Sequence, residues 1–479
     1  MKGTAKRETI IWHAMPVAGL LLWGALCITN NLWYDEAYSA ALVSQSWLQL
    51  VYISAVDAHS PFYYSILKIV YHLFGGGTHF QSLKLLSLFF MEGYLLLGKY
   101  YVKKLFGQRI SIWFMLFSLL MPIMSVQAGN VRMYGASLFF MTWMGLLAYD
   151  IYLNASGKKW IIFCVVSICT VYCHTFTMIQ AFYFYLLFLA VLLYRKQYQK
   201  VKPFLICGIV VSLAFSPWLA VTCRQMISRM RYDTGSVTEL ATIYSFMDYC
   251  KEWFSALETP KGPVMFLGMG ICVLLGYLAV DWMRAEHNYA PAIGMGALAL
   301  TVLTGGLVSA YLNNCFLGRY VFSGFGFWML FYAVGMSRLQ KKKGKAGILA
   351  AAVYCLLVQY REEIILEYAG ELGVYEAFWE EQVGEDDIII APGPHTVFLN
   401  VYHPDHQYYM YPYKPYNMPF ANTESLTDWD QLNGAGNIWY ITFAGDAPAF
   451  AGERYDYEQV LAFHHMYYDF VVFRLTQKG

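Results

Sequence analysis

The chain has 479 residues, of which 58% are hydrophobic and 14% charged, with a formal net charge of +1. A soluble domain normally carries about 25% charged residues, so this composition excludes an ordinary soluble protein. With no concentrated basic face, it also excludes a nucleic-acid partner.

Long apolar runs recur from Ile10 to about Tyr360, and the chain then turns polar and acidic (Glu362, Glu363, Glu380, Glu381, Glu385, Asp386, Asp387). This shift predicts an α-helical polytopic membrane domain over 1–360 and a soluble domain over 361–479. The ten cysteines form no CxxC metal pair and none follows Cys355, so they read as small apolar filler.

A membrane span needs about 20 apolar residues, and Lys/Arg-rich connections stay cytoplasmic. The basic start MKGTAKRE therefore places the N-terminus inside. The first span, about Ile10–Ile28, has no small-residue cleavage site and reads as retained rather than as a removed signal peptide. It delivers an outer-face loop, 30–80, that opens with Trp33, Tyr34, Asp35 and Glu36. From Asp35 to about Ala55 the pattern predicts one amphipathic surface helix. Pro61–Phe74 is apolar but short, and Gly75, Gly76 and Gly77 end it. A span there would put every later basic loop on the wrong side, so it reads as a second interfacial helix.

The remaining spans are expected near Phe80–Val102, Ile110–Ser125, Tyr134–Tyr152, Trp160–Cys173, Phe176–Tyr194, Phe204–Cys223, Val264–Trp282, Ala290–Tyr311, Tyr320–Met336 and Ala346–Tyr360. Lys103 and Lys104, Lys158 and Lys159, Arg195 to Lys202, Arg284, and Lys341 to Lys345 then fall on the inside. About eleven spans put the C-terminus outside, in the cytoplasmic membrane. Polar residues gather in the outer loops, including Arg224–Pro260 with Asp233 and Glu239. Beyond Tyr360, the runs DIIIAPG, HTVFLNVY, NIWYITF and DFVVFRL predict strands of an α/β domain.

Two motifs carry chemistry. Adjacent carboxylates at a membrane border are costly to desolvate, and they serve ions or catalysis unless they are a solvated helix start. Asp57-Ala58-His59-Ser60-Pro61-Phe62 brings a second acid and a histidine back to the same outer region, with Pro61 suited to a helix start.

A DE pair after the first span, followed about twenty residues later by D-x-H-x-P, resembles the GT-C glycosyltransferases of family 39. That group includes protein O-mannosyltransferases and lipid A aminoarabinose transferases. The former typically show D-V-H-P-P-L and the latter K-P-P-L where this chain has DAHSPF, so Ser60 replaces the first proline. The motif match covers the first hundred residues; the tail has none. The resemblance implies a GT-C fold and inverting transfer of a sugar from a polyprenyl-phosphate donor to a hydroxyl acceptor outside the cytoplasm. It implies Asp35 as general base, with Glu36 beside it and Asp57 and His59 ordering the site. Arg132 (in GNVRMYG) with Tyr134, and Arg319 (in LGRYVF) with Tyr320, match places where bacterial members show R-x-Y, and would bind phosphate or sugar. Each arginine–tyrosine pair could instead be an interfacial anchor, but the R-x-Y resemblance favours the phosphate or sugar contact. His174, in YCHTFT, could bind sugar or be a satisfied buried histidine. Glu36, Asp57 and His59 could also hold a divalent cation, Mg2+ or Mn2+, beside the phosphate.

The rival is a lipid or polysaccharide transporter or flippase, which would carry ionisable groups inside its spans and repeated halves. The acids here gather outside and no repeat is visible. In the tail, His395, His403, His406, His464 and His465 with Asp405 match no common zinc spacing and read as surface polar residues.

Overall fold

The computed structural model describes residues 2–57, 59–74, 76–77, 79–232, 262–311, 317–392, 399–411, 422–432, 436–446, 448 and 454–478. Among them, seven helical stretches are long and apolar enough to cross a membrane: Glu8–Cys27, Gln81–Phe106, Tyr134–Leu153, Thr175–Tyr194, Tyr198–Ile227, Ala290–Val308 and Gly318–Arg338. Gly157–Cys173, Gly262–Ala285 and Lys342–Tyr368, three further expected spans, are also helical.

The expected continuous span Ile110–Ser125 is instead a bent pair, Gln108–Leu120 and Pro122–Gly129, turned by 69° and able to make an eighth crossing. Pro122 is the cause. It has no N–H to give the preceding turn, and it stands as the first residue of the second helix after an extended Met121.

Two units divide the chain. The first comprises 1–27, 54–63 and 85–361, and the second 28–53, 64–84 and 362–479. In the first, Phe163, Phe184, Phe188, Phe204 and Phe327 pack in a buried aromatic core. With no water to expel between spans, close approach depends on small residues. At Gly335 a Cβ would stand 2.3 Å from the Leu275 carbonyl oxygen, so only glycine admits that crossing.

One end of the helix Tyr134–Leu153 gathers lysines from the first turns of three other helices. Lys104 and Lys159 reach Asp150 at 2.7 and 3.1 Å, and Lys200 donates to the Tyr152 carbonyl. The helix has 20 residues. At 1.5 Å per residue its first residue, Tyr134, is about 30 Å away, a full hydrocarbon thickness.

In the second unit the expected single helix Asp35–Ala55 is two, Tyr34–Ser44 and Trp47–Val56. Lys68 ends the first by donating to the carbonyls of Val43 (2.8 Å) and Gln45. Ser46 and Gln49 start the second with reciprocal side chain–backbone bonds of 3.3 and 3.1 Å. The S-x-x-Q signature of that capping box is visible in the sequence. The stretch Pro61–Leu73 is helical as expected.

The tail forms a mixed six-stranded sheet in the order β3-β2-β1-β4-β6-β5. Its strands are β1 Ile388–Ala391, β2 Gln407–Met410, β3 Thr423–Ser425, β4 Ile438–Phe443, β5 Tyr455–His465 and β6 Tyr468–Gln477. Strands β1 to β4 pair in parallel, and β6 runs antiparallel between β4 and β5. Of the expected strand HTVFLNVY, Leu399–Tyr402 are helix and turn, and 395–398 lie outside the described residues. Asn400 there is buried and donates to Thr423 Oγ1 at 2.9 Å.

The tail histidines are not surface groups as a set. His465 is fully buried, His403 stacks on Trp379 at 4.0 Å, and among the described tail histidines only His464 is exposed, as a partner of Asp469. Burial, with His406 nearby, lowers His403 to about 4, and burial also lowers His465 to about 4.

Candidate active site

In the first unit, four helix junctions bring together seven of the nine residues singled out from the sequence. The turn between Trp47–Val56 and Pro61–Leu73 carries Asp57 and His59. Ser60, the residue that replaces a proline in the motif, caps the next helix by accepting from Phe62 N at 3.5 Å. Gln225, on the long helix Tyr198–Tyr232, donates to the carbonyls of Ser54 and Ala55 at 2.9 and 3.1 Å. Those carbonyls are in the last turn before Asp57, so Gln225 holds the end of the helix from which that turn departs.

Arg132 stands between Pro122–Gly129 and Tyr134–Leu153 and is 4% exposed. Ser87 fixes this turn by donating to the Asn130 carbonyl at 2.5 Å and the Arg132 carbonyl at 3.4 Å. Arg132 Nη2 lies 2.8 Å from His59 Nε2, and His59 Nδ1 lies 2.7 Å from Asp57 Oδ2. A guanidinium only donates, so His59 Nε2 accepts and Nδ1–H donates to Asp57. The result is a carboxylate–imidazole–guanidinium chain that sets the plane of Arg132.

His174 occupies the junction of Gly157–Cys173 and Thr175–Tyr194, where its Nδ1 accepts from Phe176 N at 3.3 Å. This leaves Nε2 as the proton-bearing nitrogen. The ring of Tyr320 lies 4.9 Å from it and that of Tyr134 6.0 Å. Arg319 leans over the Tyr320 ring at 6.0 Å. His174 titrates well below the ordinary histidine range because burial disfavours its charge and because the Arg132 and Arg319 guanidinium groups repel it. Positive charge is therefore concentrated around a neutral imidazole, the electrostatics of an anion site.

Asp35 and Glu36 belong to the second unit, in the first turn of Tyr34–Ser44. Glu36 is 2% exposed rather than solvated, and its Oε2 accepts from Trp33 N at 3.1 Å. Asp35 is half-buried, and its charge, after burial, helps raise the Tyr468 hydroxyl.

Within the first unit, His59 is not available to the expected cation. Both ring nitrogens of His59 are engaged by Asp57 and Arg132, which leaves no lone pair for a metal. Among the described residues no group of three His, Cys, Asp or Glu side chains is arranged to hold one.

No protein-family model and no curated protein matches the sequence. Solved structures do. The crystal structure of ArnT from Cupriavidus metallidurans in the apo state aligns with a TM-score of 0.67 at 12% identity, covering 98% of each chain. The same protein bound to undecaprenyl phosphate aligns with a TM-score of 0.64 at 11% identity, covering 97% of this chain and 98% of that one. The chain has the GT-C fold of these structures.

Within this GT-C fold, several residues that build the site escape sequence reasoning. Gln225 fell in a stretch expected to be loop from Arg224, whereas the helix continues to Tyr232; Asp233 and Glu239 lie outside the described residues. Lys84 is fully buried and donates to Glu367 Oε2 at 2.6 Å and to Thr29 Oγ1 at 3.2 Å. A lone lysine inside an apolar span was a readable signal for it. Glu367, Tyr402 and His465, which contact the loop before Asp35, gave none.

Proposed function

We propose that the chain transfers a sugar from a polyprenyl-phosphate-sugar donor to a hydroxyl acceptor at the outer face of the cytoplasmic membrane, inverting the anomeric carbon. The observation that carries this reading is the Asp57–His59–Arg132 chain closing on His174 and Arg319. The fold likeness to a protein solved with undecaprenyl phosphate supports it.

In the reaction, the acceptor oxygen forms a bond to the anomeric carbon while the bond from that carbon to the phosphate oxygen breaks. The electron pair leaves with the phosphate, and the acceptor proton passes to the Asp35 carboxylate. A polyprenyl phosphate needs no general acid to depart, but it needs cations and donors placed where its charge grows. Arg132 and Arg319 supply the charge, and His174 Nε2–H a neutral donor. Asp57 and His59 keep Arg132 from reorienting during the step. Glu36 holds the helix start that carries Asp35. The sugar and the acceptor are chosen by contacts beyond these residues.

The test uses the purified protein in detergent with a panel of radiolabelled polyprenyl-phosphate sugars and a crude envelope acceptor fraction. The expected result is sugar-dependent release of polyprenyl phosphate, reduced by about 10²–10⁴-fold in Asp35→Asn. Substantial turnover by a correctly inserted Asp35→Asn protein removes the mechanism. No turnover with any donor by folded wild-type protein moves the assignment to a transporter, which alternating-access labelling would then reveal.

A further inference from the structure

The residues just before Asp35 are fastened by side chains from the far end of the chain, all within the second unit. Leu32 is fully buried, and both of its backbone polar groups are taken by side chains. Its N–H donates to the Tyr402 hydroxyl at 3.0 Å, and its carbonyl accepts from His465 Nε2 at 3.2 Å. The same Tyr402 hydroxyl donates to the Asn30 carbonyl at 3.3 Å. One step further back, Asn31 Nδ2 donates to the Glu367 carbonyl at 2.7 Å, and the Glu367 side chain receives both Thr29 Oγ1 and Lys84 Nζ.

The aromatic rings continue the grip. Trp33 meets Tyr467 edge-on at 5.9 Å, and Tyr402 is set by Phe80 at 5.5 Å and by His465 at 5.9 Å, each edge-on. Loop backbone is ordinarily satisfied by water and free to move. Here three backbone groups of Asn30 and Leu32 are bound by two side chains, the fully buried His465 and the part-buried Tyr402, three to five residues before the carboxylate. Trp33, the residue between, is the cap from which the Asp35 helix starts.

We propose that Tyr402 and His465 are positioning residues for transfer, which clamp the Asn30–Leu32 backbone and so fix where Asp35 presents its carboxylate. The proposal rests on the reading of Asp35 as the base. It gives the C-terminal domain a role in catalysis itself, beyond any choice of acceptor. A base displaced by an ångström loses hydrogen-bond reach to the acceptor hydroxyl while leaving donor binding untouched.

Tyr402→Phe removes the hydroxyl and keeps the ring, so it tests the clamp with the least disturbance of packing. Two readouts are taken on the full-length protein in detergent. Amide hydrogen exchange of a peptide spanning residues 29–36 is expected to quicken about ten-fold, the scale of one lost hydrogen bond. In the transfer assay kcat is expected to fall about ten-fold, with the KM for the polyprenyl-phosphate sugar and the melting temperature unchanged. Tyr457→Phe, on an exposed stretch of β5, serves as the control and should alter neither.

Unchanged exchange at 29–36 in Tyr402→Phe overturns the clamp. So does quickened exchange with kcat unchanged, which would mean the loop is held for stability alone. If Tyr402→Phe does not fold, His465→Gln, whose amide keeps a donor, replaces it: kcat retained there, and lost in His465→Leu, supports the clamp, and equal loss in both overturns it. Absence of turnover in the wild-type protein sinks the functional reading, and the exchange experiment then still decides whether the clamp exists.

Discussion

His59 and Arg132 lie 73 residues apart and are set by turns at helix ends, with Ser87 and Gln225 close at hand in the same unit. Asp35 rests on a loop whose partners Tyr402 and His465 come 370 and 433 residues after Leu32. The cationic cluster is thus a product of helix packing within the first unit, and the setting of the acidic pair a product of distant chain within the second. The two halves should fail separately, and in different ways. On the proposed function, damage to the first removes affinity for phosphate, while damage to the second misplaces a base that remains chemically intact.

The largest expected effect falls on the acidic half. Glu367→Ala leaves Lys84 buried without its carboxylate, and losing one partner of a buried pair costs roughly 3–5 kcal/mol. The second unit should melt earlier and exchange at 29–36 should rise, measured by scanning calorimetry and hydrogen exchange. Glu367→Leu combined with Lys84→Met should recover most of the melting temperature, since a buried pair replaced by apolar groups is often neutral.

Next comes Arg132→Leu on the cationic half. Losing one preorganised donor to a leaving group costs about 10²–10³ in rate. Polyprenyl-phosphate binding should weaken as well, while exchange at 29–36 stays at the wild-type rate. Quickened exchange there would dissolve the distinction between the halves.

The smallest effect is that of mild acid. His403 and His465 are lowered in the folded state to about 4. Their stabilising contribution is complete above the unfolded histidine value near 6.5 and is lost as pH falls from there toward 4. Between pH 7.5 and 6 the two together should remove about 1–2 kcal/mol from the second unit. Hydrogen exchange across β1, β4 and β6 at the two pH values measures it, and a rate that stays flat down to pH 5 would show that the buried histidines are not limiting.

The same contrast explains what the sequence disclosed. Apolar runs of span length, the DE pair and D-x-H-x-P are local patterns, and the GT-C fold and the cationic residues followed from them. Asp57, His59, Arg132, His174 and Arg319 do come together, each at a helix end that a short motif marked. Two boundaries were misplaced for local reasons that were readable: the S-x-x-Q cap at Ser46 and the proline at 122. Glu367, Tyr402 and His465 were not readable at all. Their role exists only across hundreds of residues, in side chains that sit in a helix, a turn and a strand of ordinary appearance.

That separation also sets the order in which the molecule can be completed during synthesis. Leu32 is made 433 residues before His465, so the loop leaves the ribosome long before that partner exists. A contact of such span closes only after the intervening chain is in place. The early loop must therefore remain unfastened by Tyr402 and His465 while the intervening helices are made. A chain stopped short of β5 would lack His465 and leave the Asn30–Leu32 backbone to Tyr402 alone, with its acidic residues on a loose tether.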